Sequence, residues 1–175
     1  MAAPVQRRWV VAGAAALLAG CGFRPLYAPG GDAPSVAQAE LAAIYVSLLP
    51  DRSGQLMRQA LQQRFEGAGT GIAKRYECDV LLVLLPEATS IQRDNSTTRL
   101  RLIGTASWTL RDLSIERTVV ANGTARSVDG YNVLNQQFFA LEVENDAATR
   151  RITSALADQM TLQLSSFFAS RAAAS

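Results

Sequence analysis

Alternation with a period of two is the strongest pattern along the chain. Between Ser96 and Arg111, Leu100, Leu102, Gly104, Ala106, Trp108 and Leu110 share one face. Arg99, Arg101, Ile103, Thr105, Ser107, Thr109 and Arg111 share the other. This spacing predicts a long, half-buried strand. After Asp112-Leu113-Ser114, Ile115 to Arg126 alternates again. Val119, Ala121, Gly123 and Ala125 stand opposite Thr118, Val120, Asn122 and Thr124, so the two runs read as an antiparallel hairpin. Tyr76 to Leu85, ahead of Pro86, is apolar on both faces in its second half. That suits a strand covered on both sides, or one whose second face meets a partner. Ala43 to Leu49, ended by Pro50, predicts a short first strand.

Two stretches change period. From Gln55, apolar positions recur at Leu56, Met57, Ala60, Leu61 and Phe65, after candidate N-caps in Asp51-Arg52-Ser53-Gly54 and before Gly67 and Gly69. Ala140 to Phe168 contains neither Pro nor Gly. Ile152, Leu156, Met160, Leu164 and Phe168 recur every four residues, and Leu141, Ala148 and Ala155 widen the stripe. This predicts a long amphipathic helix, with Asn145 and Asp146 marking its regular start and Phe138 to Glu144 as its lead-in. The predicted order is β-α-β-β-β-α. It is an α+β fold, a two-layer α/β sandwich with two helices packed on one face of a four-stranded sheet.

The N-terminus carries a different signal. Arg7 and Arg8 precede an apolar stretch from Trp9 to Leu18, too short to span a bilayer but of the length of a signal-peptide core. Leu18-Ala19-Gly20-Cys21 then resembles a bacterial lipobox, which implies cleavage after Gly20 and acylation of Cys21. Phe23 to Ser35, with Pro25, Pro29, Pro34, Gly30 and Gly31, reads as a tether. The expected organisation is a signal over 1–20, a lipidated N-terminus and tether over 21–35, one domain over 36–170, and a frayed tail over 171–175. Gly22 stands where lipoproteins of this type carry aspartate for inner-membrane retention, which points to the outer membrane.

Composition then narrows the chemistry. The chain has 175 residues, 49% of them hydrophobic, enough for one domain with a core. It has no histidine. That excludes Ser-His-Asp and Cys-His sites and histidine-based zinc sites. Two cysteines cannot build a metal cluster alone, no nucleophile-elbow motif is present, and no cofactor is expected. The signal would take Arg7 and Arg8 from the 17 basic residues, which leaves the balance with the 15 acidic residues at zero. A broad nucleic-acid-binding field is not supported. With Cys21 acylated, Cys78 has no partner in the chain, and its place at the head of an apolar run marks it as a small core residue.

Cys21-Gly22-Phe23-Arg24-Pro25-Leu26-Tyr27 behind a lipobox resembles the start of mature LptE lipoproteins, especially of the α-proteobacterial branch. Ala125-Arg126-Ser127, Tyr131-Asn132-Val133-Leu134, Phe139-Ala140-Leu141, Glu144-Asn145-Asp146-Ala147 and Arg150-Arg151 are similar to the family's last strand, connecting loop and closing helix. The resemblance implies a non-enzymatic lipoprotein anchored in the cell outer membrane. It would plug the lumen of the LptD β-barrel, assist its assembly and bind lipopolysaccharide in transit. It also implies a basic residue in the turn between the second and third strands, here Arg93, able to grip a lipid phosphate. Arg99 and Arg101 would extend that patch along the strand. A solvated hairpin tip and a merely solvated sheet face are the alternatives. Where the family can carry a second basic residue before the last helix, this chain has Glu142-Val143-Glu144. Two other classes remain open: an accessory lipoprotein of another envelope lipid-transport or secretion complex, and a periplasmic hydrolase built on Ser, Asp and Glu.

Cys21→Ala is expected to abolish lipid attachment and normal lipoprotein processing. Mass spectrometry of the mature N-terminus checks this; an unmodified start elsewhere in the wild-type chain overturns the anchoring expectation.

Overall fold

The computed structural model describes residues 36–68, 71–91, 97–132 and 138–174. They fall within one compact unit, Pro34–Ser175; the other unit, Met1–Ala33, lies outside the described residues, and Cys21 and the tether with it. Seven main elements follow in order: α1 (Val36–Ala42), β1 (Ile44–Val46), α2 (Asp51–Phe65), β2 (Tyr76–Ile91), β3 (Thr97–Asp112), β4 (Val119–Asn132) and α3 (Phe138–Ala173). A short 3₁₀ turn, Glu66–Ala68, closes α2 at Gly67, one of the two glycines expected to stop it; Gly69 lies outside the described residues. The fold is α+β as expected, with one helix more than the pattern gave.

That extra helix, α1, has only seven residues, too few to show a stripe and too few to be stable alone. Tertiary contact holds it. Ala37 and Leu41, one turn apart, are buried, and the Arg75 guanidinium pairs with Glu40 at 2.7 Å.

The sheet has the order β1-β2-β3-β4. β1 runs parallel to β2, with Ile44 beside Tyr76 and Val46 beside Cys78, and α2 supplies the crossover that a parallel pair requires. The remaining neighbours are antiparallel. β1 ends at Val46, so from Asp79 onward the far edge of β2 carries no described strand. This explains why β2 runs on through Pro86, which a strand paired on both edges would not accommodate.

The alternation predicted for β3 is observed. Leu102, Gly104, Ala106, Trp108 and Leu110 are buried, while Arg101 and Ser107 are exposed. The buried face lies under α3, whose Ile152, Leu156, Met160, Leu164 and Phe168 are all buried. The approach is closest at Gly104. A Cβ built there would lie 2.3 Å from Ile152 Cγ2 and 3.1 Å from Leu156 Cδ1. Across the ladder, Gly123 faces Trp108, and a Cβ there would meet the indole at 2.6 Å. The indole Nε1–H donates to Gln163 Oε1 at 2.9 Å, so the buried ring keeps its polar partner.

β4 departs from the expected hairpin. It starts at Val119, not Ile115, after a longer connection, and continues through Asp129-Gly130 to Asn132. A register shift between Leu110 and Arg111 pairs Leu110 with Ala121 but Arg111 with Val119. This bulge inserts one residue and reverses the facing beyond it. Val119 is therefore exposed and Val120 packs against the core, the opposite of the simple alternation.

α2 begins earlier than the pattern indicated, at Asp51 behind Pro50, with no side-chain cap. In α3 the expected lead-in from Phe138 is itself helical. α3 runs to Ala173, three residues into the stretch expected to fray. Met57, Leu61 and Phe65 bury the inner side of α2. Arg64 fastens it to α3 through Asp158 at 2.6 Å and the Ser154 hydroxyl at 2.9 Å. Cys78 is fully buried, and burial pushes its thiol pKa up to about 12, the state of a core residue.

Trp108, 4% exposed, and its outward neighbour Thr109 give a paired test of the facing. Trp108→Ala is expected to destabilise by about 3–5 kcal/mol, and Thr109→Ala by about 1 kcal/mol or less, in denaturant melts. Gly104→Val is expected to cost about 1–3 kcal/mol by overpacking against Ile152. Equal losses at positions 108 and 109 would contradict this layering.

Candidate functional site

The three described helices pack together on one side, and the outward face of the sheet carries no described helix. Its composition follows from the register. Leu85, Ile103 and Val128 stand in one row across β2, β3 and β4. Leu81 and Val83 continue this apolar surface along β2. Leu81 is 66% exposed, Leu85 59% and Val128 50%. The β3 positions Thr105, Ser107 and Thr109 are polar as the alternation predicted, but the face as a whole is not polar. The doubly apolar half of β2 is covered on one side only.

Ion pairs bound the strip at both ends. At the end nearer β1, Arg111 pairs with Asp79 and Arg117 with Glu77. The Ser47 hydroxyl donates to Asp79 Oδ1 at 2.6 Å. Positive and negative groups there match one to one. At the other end, Arg101 lies opposite Glu87 and donates to its Oε2 through Nη2 at 2.6 Å and Nε at 3.2 Å. Beyond that row a concavity of about 450 Å³ is lined by Thr89, Arg99, Arg101, Val128, Asp129 and Gly130. Arg99 lies over Gly130, where an added Cβ would sit 3.6 Å from its Nε. Arg99 and the outward-facing Arg126 make no ion pair with a described residue. Asp129 is turned toward α3, where it accepts from Arg151 Nε at 2.5 Å.

The structure therefore brings two of the sequence-predicted residues, Arg99 and Arg101, into one concavity. Arg93 and Cys21 lie outside the described residues. Pattern reading missed Glu87 and Gly130, which reach this neighbourhood only through the cross-strand register. It also missed a second cleft of about 460 Å³ on the helix side, with Leu56, Leu84 and Val143 as its apolar walls and Arg52 and Asp146 at its rim. Arg52 donates to Asp146 at 3.2 Å, and Arg150 pairs with the same carboxylate. The acidic segment Glu142-Val143-Glu144 borders this cleft, through Glu142 and Val143.

Chemistry elsewhere is sparse. Among the described residues, no group of three His, Cys, Asp or Glu side chains is placed to hold a metal ion. Burial raises the pKa of the Tyr76 and Tyr131 phenols, and the hydroxyl and N–H of Ser114 lower that of Asp112. None of these groups lines the concavity. No described helix is long and apolar enough to cross a membrane. What the outward face offers is cationic and apolar contact.

No curated protein matches the chain. Among solved structures, a lipoprotein from Caulobacter crescentus CB15 shares the fold with a TM-score of 0.61 at 20% identity, over 76% of this chain and 96% of its own. Rare lipoprotein B from Shewanella oneidensis has a TM-score of 0.53 at 13% identity, over 70% and 92% of the two chains. Lipoprotein B from Nitrosomonas europaea has a TM-score of 0.53 at 13% identity, over 72% and 82%. The family model for LptE, lipopolysaccharide-assembly, matches residues 41–164, from the last turn of α1 through most of α3. On that match, which takes in every strand and both long helices, the chain belongs to the LptE lipopolysaccharide-assembly family.

Proposed function

We propose that this protein is a non-enzymatic outer-membrane lipoprotein of lipopolysaccharide assembly. In this reading it is anchored through acylated Cys21, plugs the LptD β-barrel and assists its assembly, and binds lipopolysaccharide on its way to the outer leaflet. The observation that carries the proposal is the family match over residues 41–164. The outward face supports it physically. A lumen of polar side chains suits the Thr105, Ser107 and Thr109 row and the ion pairs at either end of the sheet. A phosphorylated sugar lipid suits guanidinium groups, which bind phosphate through two parallel N–H donors.

The arginines are not equivalent in this role. Arg101 is already held by Glu87, whereas Arg99 makes no ion pair with a described residue. Arg99 is accordingly the stronger phosphate contact, with Arg93, which falls between β2 and β3 in the sequence, as its companion and Arg101 entering by exchange with Glu87.

Purification of the lipoprotein from solubilised outer membrane is expected to bring down a large β-barrel partner. Its absence would overturn the plug role and favour an accessory subunit of another envelope complex. Arg99→Asp is expected to weaken lipopolysaccharide binding by roughly tenfold, and Arg93→Asp combined with Arg99→Asp and Arg101→Asp by more. The wild-type contact should also weaken as salt rises. Thermal melts should stay normal, because the Arg99 and Arg101 side chains are exposed, away from the core. Unchanged binding in the triple variant would remove the patch from the mechanism.

A further inference from the structure

The apolar strip on the outward face has no counterpart in the plug role, since a polar lumen gives Leu81, Val83, Leu85, Ile103 and Val128 nothing apolar to bury against. We propose that this strip is the bed for the acyl chains of the lipid whose phosphorylated headgroup is held by Arg99 and Arg101. This rests on the reading that the protein binds lipopolysaccharide, and it assigns the part of the lipid that the arginines leave unaccounted for.

Three observations support that occupant. First, the strip is contiguous. Leu85, Ile103 and Val128 form one cross-strand row, and Leu81 and Val83 extend it along β2. Contiguous exposed apolar surface marks an interaction site, where scattered single residues do not. Second, the charge on this face is one-sided. Near β1, Glu77 and Asp79 are matched by Arg117 and Arg111. At the other end, Arg99 and Arg101 face the single outward carboxylate of Glu87. Cationic excess at one end of an apolar strip complements an anionic headgroup on a hydrocarbon tail. It does not complement a second copy of the same face, which would oppose arginine to arginine or leave them unpaired. Third, the dimensions agree. Leu81 to Glu87 spans roughly 20 Å of strand, against about 15 Å for the hydrocarbon half of a bilayer. A chain laid along β2 would reach the arginine row with its headgroup at the 450 Å³ concavity.

The test is photo-crosslinking in whole cells, with the full-length chain carrying a photoreactive amino acid at Leu85, Val128 or Thr89, the last lining the concavity beside Arg99 and Arg101. Lipopolysaccharide adducts at Leu85 and Val128 as well as Thr89 are the expected result. Leu81→Gln with Leu85→Gln should reduce the Thr89 adduct at least fivefold. Both leucines are largely exposed, so the melt should stay normal. Lipopolysaccharide at Thr89 with none at Leu85 or Val128 overturns the acyl bed and leaves the binding reading standing. A β-barrel protein or a second copy of this chain captured at Leu85, in place of the lipid, also overturns it. No lipopolysaccharide adduct at any of the three positions removes both the acyl bed and the binding reading.

Discussion

The contact between α3 and the sheet at Gly104 is the constraint on which the remaining structure depends. Ile152 and Leu156 reach into space that any side chain at position 104 would fill. The close approach lets the same helix bury Met160, Leu164 and Phe168 along its length. It also fixes the helix azimuth, so that Gln163 meets the Trp108 indole and Arg151 meets Asp129. α2 then packs on α3 as well as on β1, with Arg64 bridging the two helices. A helix held a few ångströms farther out would lose these contacts together, because interior packing tolerates little volume change.

One-sided helix packing has a consequence on the opposite face. A strand normally alternates apolar and polar residues when only one face is covered. β3 obeys this, and β2 does not. Leu82 and Leu84 pack against the core, while Leu81, Val83 and Leu85 point the other way with no described helix to meet them. The apolar area they leave exposed gains nothing from burial in the isolated fold. It belongs with the charges that frame it, which are balanced near β1 and predominantly positive at the far end. The two properties coincide on one surface because the register places Glu87, Arg101 and Gly130 in the row two residues beyond Leu85, Ile103 and Val128.

Much of this was legible in the sequence, and the exceptions share a physical cause. The faces of β3 and the stripe of α3 could be read because each depends on neighbours within its own element. The doubly apolar half of β2 already indicated a second covered face or a partner. The face reversal in β4 was invisible, because a bulge is a property of the strand pair and leaves no mark in either strand alone. α1 was invisible because seven residues carry no period. At the candidate site, Arg99 and Arg101 could be named, but Glu87 lies fourteen residues from Arg101 and meets it only through the ladder. Gly130 likewise enters from β4 through register.

The pairing of Arg101 with Glu87 bears directly on how such a face can bind and release an anion. Both groups are about half exposed, Arg101 46% and Glu87 50% in their side chains. Solvent screening therefore limits the pair to about 1 kcal/mol or less. The partner is strong enough to orient the guanidinium toward the concavity and weak enough to be displaced. A phosphate offers two acceptor oxygens in the planar geometry that arginine's fork matches, and lysine's ammonium does not. Lys74 is the chain's single lysine, and it is committed to the Ala42 carbonyl at the other end of β2. Every cation near the concavity is an arginine. In the proposed lipid-binding role, Glu87 once displaced would stay beside the bound anion and repel it. The carboxylate would then hold the arginine in readiness and oppose permanent occupancy. Passing lipid onward, as that role requires, calls for both properties, whereas a storage site would call for only the first.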